Sequence, residues 1–126
     1  MELLLDVNWL AIFVGTIVSF LVGWFWYSEK LFGKKWQEGI GIAVDDQTPM
    51  MHAMVTQLGA TFLLAWVIAV TVTMNSLEFA ALIAFTIAGI VKANGLFTQK
   101  SFYAIAVEVG FVLVMVVLMI GVHVVL

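Results

Sequence analysis

Charged side chains are sparse along this chain and divide it into long apolar runs. Residues 7–28 carry no charge, and neither do residues 47–77. A helix needs about 20 apolar residues to cross the hydrocarbon layer of a bilayer. Both runs reach that length, so each predicts a membrane-spanning helix.

Two further runs are interrupted by single charges. The run over residues 79–91 ends at Lys92, and the run over residues 101–126 is interrupted only by Glu108 and His123. The first of these runs spans a membrane if Lys92 lies inside the helix and extends its amine toward the headgroups.

The pattern therefore predicts an all-α polytopic membrane protein, with residues 1–126 forming one four-helix bundle. None of the runs alternates polar and apolar residues, as a membrane β-barrel requires. The predicted helices cover about 7–28, 50–74, 77–97 and 101–125. The connection over about 29–48 has aromatic and aliphatic residues among its lysines, which favours a segment on the membrane surface over a solvated loop.

Composition supports lipid as the main solvent. The 126 residues are 64% hydrophobic and 10% charged, whereas soluble domains average roughly 45–50% apolar and about 25% charged. A soluble domain of this size cannot bury so much apolar surface. The chain has no cysteine, so disulfides and thiolate chemistry are excluded.

The lysines predict an orientation. With four spans, all five lysines fall on the side of the first and third connections, and none falls near the termini or the second connection. The positive-inside rule then makes the lysine side cytoplasmic and places both termini outside.

Aromatic residues concentrate where the first predicted helix ends. Trp24, Trp26, Tyr27 and Trp36 are expected to form an aromatic belt at the cytoplasmic interface, with Trp9 at the opposite interface. An aromatic cage for a cationic ligand is the functional alternative.

Small residues at four-residue spacing predict close helix packing, because lipid gives helices no hydrophobic drive to associate. They recur on every helix, and the pattern leaves open whether the partner helices belong to the same chain. The predicted packing positions are Gly15, Ser19, Gly23, Thr61, Ala65, Ala69, Thr73, Ala80, Ala84, Ala88, Ala106 and Gly110.

Glu108 is the only acid deep in a predicted span, about 10 Å along the helix from Ser101. Ionisable groups inside membranes pair with one another or mark ion pathways. We expect Lys92 as its partner and predict a polar layer of Ser19, Gln57, Lys92, Asn94 and Glu108. Structural pairing and a proton or ion pathway both remain open.

No other chemistry is indicated. The two histidines lie on opposite predicted sides, and no metal-protease, phosphate-loop or Ser/His/Asp motif is present. Without a basic patch, nucleic-acid binding has no support. The sequence predicts neither a cofactor nor a metal site.

Several short motifs lie along the chain: Asn8-Trp9-Leu10-Ala11, Gly23, Trp26-Tyr27-Ser28, Leu31-Phe32-Gly33-Lys34, Trp36, Asn94-Gly95-Leu96-Phe97, Lys100 and Gly110-Phe111. Together these motifs resemble an uncharacterised bacterial membrane family, domain of unknown function 1761. The resemblance implies a four-helix protein of the bacterial inner membrane, with no activity attached. The family pattern usually has proline where this chain has Glu29, and at the position of Glu108 it more often has an uncharged polar residue, commonly asparagine. Lys92 is also unusual for the pattern, which suggests that Lys92 and Glu108 arose as a pair.

Three functions are compatible with these features. The favoured hypothesis is a non-enzymatic membrane protein that acts through assembly, as a homo-oligomer or an accessory subunit. The alternative is a proton or small-ion transporter or channel that uses the layer around Glu108. An intramembrane enzyme has the least support, because no nucleophile, base and orienting group lie at matching depth.

Overall fold

A computed structural model describes residues 2–41 and 49–126, and every element in those ranges is helical. The bounds are α1 (Glu2–Leu5), α2 (Trp9–Trp26), α3 (Gly33–Ile40), α4 (Met50–Thr73), α5 (Leu77–Phe97) and α6 (Phe102–Val125). The last seven residues of the predicted surface segment, 42–48, lie outside the described residues.

Four of these helices, α2, α4, α5 and α6, are long and apolar enough to cross a membrane. The all-helical class and the four candidate spans are thus confirmed. The short helices α1 and α3 flank α2. No separate helix was predicted for α1, and α3 occupies the predicted surface segment.

Side-chain caps set the starts of three long helices. Asn8, Ser76 and Ser101 each accept a hydrogen bond from a backbone N–H three residues ahead. Such caps satisfy amides that have no partner inside the helix. The tight turn between α4 and α5 places Asn75 in the left-handed region, at a φ of 60°.

The helix α6 lies at the centre of the bundle and packs against α2, α3, α4 and α5. Its core residues include Phe111, Met115 and Met119, and the surrounding helices contribute Ile12, Ile68 and Ala84. The helices alternate in direction, so the bundle has two distinct ends. We call the end formed by residues 26–41, 50 and 97–104 the lysine end, and the opposite end the termini end.

Candidate functional site

Aromatic residues at the end of α2 turn inward, toward α6, at the lysine end. Trp26 donates its indole N–H to the backbone carbonyl of Val107 over 3.0 Å. Tyr27 lies edge-on to Phe111, with 5.5 Å between ring centroids. The last residue of α2 and the residue that follows it are therefore anchored to the central helix.

Gly23 permits this contact. A Cβ built on Gly23 would lie 2.6 Å from the ring of Phe111, well inside van der Waals distance. The absent side chain lets Phe111 sit directly against the α2 backbone, so the aromatic cluster depends on a glycine one turn earlier.

The chain then reverses direction between α2 and α3. Backbone N–H groups of Phe32 and Gly33 donate to carbonyls of Trp26 and Ser28. The ring of Phe32 packs on Trp26 at 4.7 Å. This turn directs α3 back across the start of α6.

Helix α3 lies closely against the first turn of α6. The backbone N–H of Ser101 donates to the carbonyl of Gly39 over 2.9 Å. A Cβ on Gly39 would overlap Ser101 Oγ and the Cβ of Ala104. Lys35 places its ammonium 5.4 Å from the ring centroid of Tyr103, within the range of a cation–π contact.

Glu108 lies where α3 and α6 meet, and two partners engage its carboxylate. Trp36 donates its indole N–H to Oε2 over 2.8 Å. Lys100 contacts Oε1 at 3.0 Å and Oε2 at 2.9 Å. The side chains of Lys100 and Glu108 are 28% and 14% exposed, so water screens the ion pair only in part.

The carboxylate also affects Tyr27, whose ring packs on Trp36 at 4.8 Å. Burial, and secondarily the negative charge of Glu108, raises the pKa of the Tyr27 phenol above its usual value. The phenol therefore stays neutral beside the ion pair. We refer to Tyr27, Trp36, Lys100 and Glu108 together as the Glu108 cluster.

The expected pairing of Glu108 with Lys92 is corrected by this geometry. Lys92 and Asn94 are exposed on α5, and Lys100 takes the predicted role. Four residues advance about 40° more than a full helical turn, so positions four residues apart drift around the helix. The stripe of Ala80, Ala84 and Ala88 is buried, and the next position in the series, Lys92, has turned away from the core.

The remaining members of the predicted polar layer also lie apart. Ser19 is fully buried in the bundle, and its hydroxyl has no hydrogen-bond partner among the described residues. Gln57 is exposed and donates to Thr61 Oγ1 over 3.1 Å within α4. The structure does not bring these five residues into one layer.

The predicted aromatic belt divides into two groups. Trp24 is 68% exposed, as a lipid-facing belt residue would be. Trp26, Tyr27 and Trp36 are half-buried against α6, because their ring edges meet partners there. At the termini end, Trp9 packs on Trp66 at 5.1 Å between centroids.

Most of the predicted packing positions are buried. Gly15, Ser19, Gly23, Ala80, Ala84 and Ala88 lie inside the bundle, and Gly110 is half-buried beside Trp26. Ala106 is exposed, which corrects its assignment to a packing stripe within the chain. It falls on the side of α6 opposite Ala104, Phe111 and Met115.

Sequence reasoning did not assign a site role to Lys100, Phe32, Tyr103 or Phe111. Lys100 counted toward the charge asymmetry and the family resemblance, although its position eight residues before Glu108 places it near the same end of α6. The sequence feature that could have indicated this role is the position of Lys100 in a short connection, because a long side chain there can fold back along the next helix.

Chemically, the Glu108 cluster is a compensated charge that holds α3 on the bundle. An acid buried alone would be costly in this apolar setting. Here a cation and an indole N–H satisfy it, and the two donors come from different connections. The cluster therefore ties the α2–α4 connection to the α5–α6 connection through one side chain of α6.

A family model for proteins of unknown function, DUF1761, matches residues 10–124. The chain belongs to the DUF1761 family. No curated protein and no solved structure shows a significant match to it.

Membership confirms the resemblance, and the structure shows where its motifs lie. Trp26, Tyr27, Phe32 and Trp36 from the first stretch meet Lys100 and Phe111 from the second at the lysine end. Part of these motifs therefore meets at the lysine end and supplies Tyr27, Trp36 and Lys100 to the Glu108 cluster, whereas the Asn8–Ala11 motif lies at the termini end.

Proposed function

We propose that this DUF1761 protein is a small non-enzymatic integral membrane protein that acts through helix–helix assembly, as a homo-oligomer or as an accessory subunit. The observation that carries this proposal is the first half of α4. Its residues 50–60 include no buried residue, although they belong to a helix long enough to span a membrane. Small and polar residues on such a surface favour contact with another helix over contact with lipid.

The test is the size of the protein in a bilayer. We expect single-molecule photobleaching in lipid vesicles, at low protein density, to show more than one copy per assembly, or purification from native membranes to give a defined complex of fixed stoichiometry. A chain that is monomeric in vesicles and also purifies alone under mild conditions contradicts the proposal.

We also propose the orientation that the lysines favour, with the lysine end in the cytoplasm of a bacterial cell and both termini outside its inner membrane. All five lysines belong to the α2–α4 connection, the α5–α6 connection or the last turns of α5. This asymmetry supports a single orientation for all copies.

Proton or small-ion movement through the bundle is the second candidate. A carboxylate inside α6 and the unpartnered Ser19 hydroxyl in the core favour it. However, two donors already satisfy Glu108, and Lys92 and Asn94 lie on the surface. The geometry therefore favours assembly over ion movement through the bundle. Ion flux in proteoliposomes that is absent, or that Glu108→Gln leaves unchanged, removes the candidate.

A further inference from the structure

The lysine-end half of α4, residues 50–60, is poorly covered by its own bundle. Toward the termini end, α4 packs on α2 through an aromatic ladder, with Trp66 on Trp9 and Phe62 on Phe13. One turn further along α2, Ile17 is 57% exposed, and the corresponding Leu58 of α4 is 44% exposed. Beyond this ladder, the facing side chains of α2 and α4 are exposed on both helices.

The lysine-end half of α4 also lacks cover from α5. Thr61, Ala65 and Ile68 are buried in the second half of α4, whereas no residue from 50 to 60 is buried. At the end of α5 and just beyond it, residues 92–94 and 96–99 are exposed as well. In about three turns of a candidate membrane helix, every residue except the half-buried Met54 is therefore exposed.

One side of these turns carries small and polar residues. Ala53, Thr56, Gln57 and Ala60 follow the spacing i, i+3, i+4, i+7, which places them on one face of the helix, and all four are exposed. We call these four residues the α4 face. Small side chains allow another helix to approach closely.

Gln57 distinguishes this face from a lipid-facing surface. It lies four to five residues from the middle of α4, about 7 Å at helical rise and within the hydrocarbon half-thickness of about 15 Å. A carboxamide has two N–H donors and a carbonyl acceptor, and the bond to Thr61 uses one N–H. Lipid chains cannot satisfy the rest, so a protein surface is the better occupant.

Building on the proposed assembly function, we propose that the occupant of the α4 face is the same face of a second copy. A two-fold axis along the membrane normal brings residues of equal depth together, so α4 meets its counterpart in parallel and Gln57 meets Gln57. A carboxamide complements itself because it both donates and accepts. The face carries no charge, so its self-association meets no like-charge repulsion.

The chain contains no cysteine, so single cysteines report this contact directly. Ala53→Cys and Ala60→Cys, each in the full chain in proteoliposomes at low protein density, are expected to form disulfide-linked dimers on mild oxidation. Disulfides require Cα atoms within about 7 Å. Val55→Cys is the matched control, because Val55 is 61% exposed on a different side of the same turns.

The α4 pairing is overturned if Val55→Cys cross-links as efficiently as the face positions, or if neither face position cross-links. Gln57→Leu, with Ala60→Cys as the reporter, is expected to lower the dimer yield about threefold to tenfold, because an interhelical hydrogen bond in lipid contributes modestly. Unchanged yield overturns the role of Gln57.

Counting copies in the same vesicles separates the two proposals. An oligomer that forms without cross-linking at the α4 face contradicts this inference and leaves the assembly function standing. A copy number of one in these vesicles also contradicts the proposed homodimer. A cross-link from Ala60→Cys in native membranes to a protein of different mass shows a foreign subunit on the face and overturns the second-copy assignment.

Discussion

Glu108 keeps a carboxylate inside an apolar helix because two donors satisfy it. Lys100 supplies charge from the α5–α6 connection, and Trp36 supplies an indole N–H from α3. Hydrogen bonds to charged groups contribute about 1.5–3 kcal/mol, and partial exposure lowers that figure. The residue thus joins two connections that are distant in sequence.

Glu108→Gln tests this contribution. The amide oxygen still accepts from Trp36, but the ion pair with Lys100 is lost, so we expect the free energy of unfolding to fall by about 1–2 kcal/mol. Reversible unfolding in mixed micelles measures it. Glu38→Gln, at an exposed position of α3, serves as the control and should have little effect.

A double-mutant cycle that combines Glu108→Gln with Lys100→Met isolates the interaction energy of the Lys100–Glu108 ion pair. The double variant should lose less stability than the two single losses added together, since each single change removes the same interaction. Strict additivity would contradict a direct Lys100–Glu108 contribution.

Tyr27 gives a pH-dependent prediction. Its pKa is raised in the folded protein, so folding favours the protonated phenol. This contribution is fully present below the unfolded pKa of about 10 and is lost as the pH rises through the folded value. We therefore expect alkaline conditions to destabilise the protein, with no effect of this group near neutral pH.

Phenolate absorbance during an alkaline titration checks the assignment. The chain has two tyrosines, Tyr27 and Tyr103. Tyr27→Phe should remove a component that titrates later than free tyrosine, whereas Tyr103→Phe should keep it. A late component that survives in Tyr27→Phe would refute the burial argument.

At the scale of elements, α3 is held by contacts to α6 and has little core of its own. Its only buried residue is Gly33. The contacts of Gly39, Trp36 and Lys35 with the start of α6 therefore determine whether it stays docked.

Gly39→Ala tests the docking of α3. The added methyl overlaps Ser101 Oγ and Ala104 Cβ, so we expect α3 to lift from α6 at a cost of about 1–3 kcal/mol, with the four long helices intact. Hydrogen exchange over residues 33–40 should accelerate.

The control for that change is Gly89→Ala in α5. Nothing lies within 4 Å of a Cβ at Gly89, so alanine should be neutral or slightly stabilising through helix propensity. If the Gly39 variant exchanges no faster than the Gly89 variant, the close docking of α3 is contradicted.

Helix existence and approximate extent follow from local properties, and the sequence predicts them well. The apolar runs that indicate helices over 77–97 and 101–125 correspond to Leu77–Phe97 and Phe102–Val125. Helix α3 was predicted only as a surface segment, because eight residues with mixed polarity do not carry a spanning signal.

At the scale of the whole molecule, the lysines mark one end of the bundle. Single cysteines test the proposed orientation, at the exposed positions Lys34 in α3 and Glu78 in the first turn of α5. In intact cells, a membrane-impermeant maleimide should label Glu78→Cys and leave Lys34→Cys unlabelled. Both should react after the membrane is permeabilised, and the reverse pattern would contradict the orientation.

The sequence by itself determined the number of spans, their approximate limits and the segregation of lysines to one end. These properties depend on hydropathy and on bilayer thickness, and both act on contiguous residues. It also placed Glu108 inside a span, because that position follows from counting along one helix.

Only the tertiary structure decided which neighbour each side chain meets. Lys92 and Lys100 lie on either side of the same turn, and the rotation of α5 together with the path of the connection selects Lys100 for Glu108. Helix rotation and crossing likewise decide the inward direction of Trp26 and Trp36. They also decide the exposure of α4 over residues 50–60. Those quantities arise from packing between distant segments, which hydropathy along a single chain does not encode.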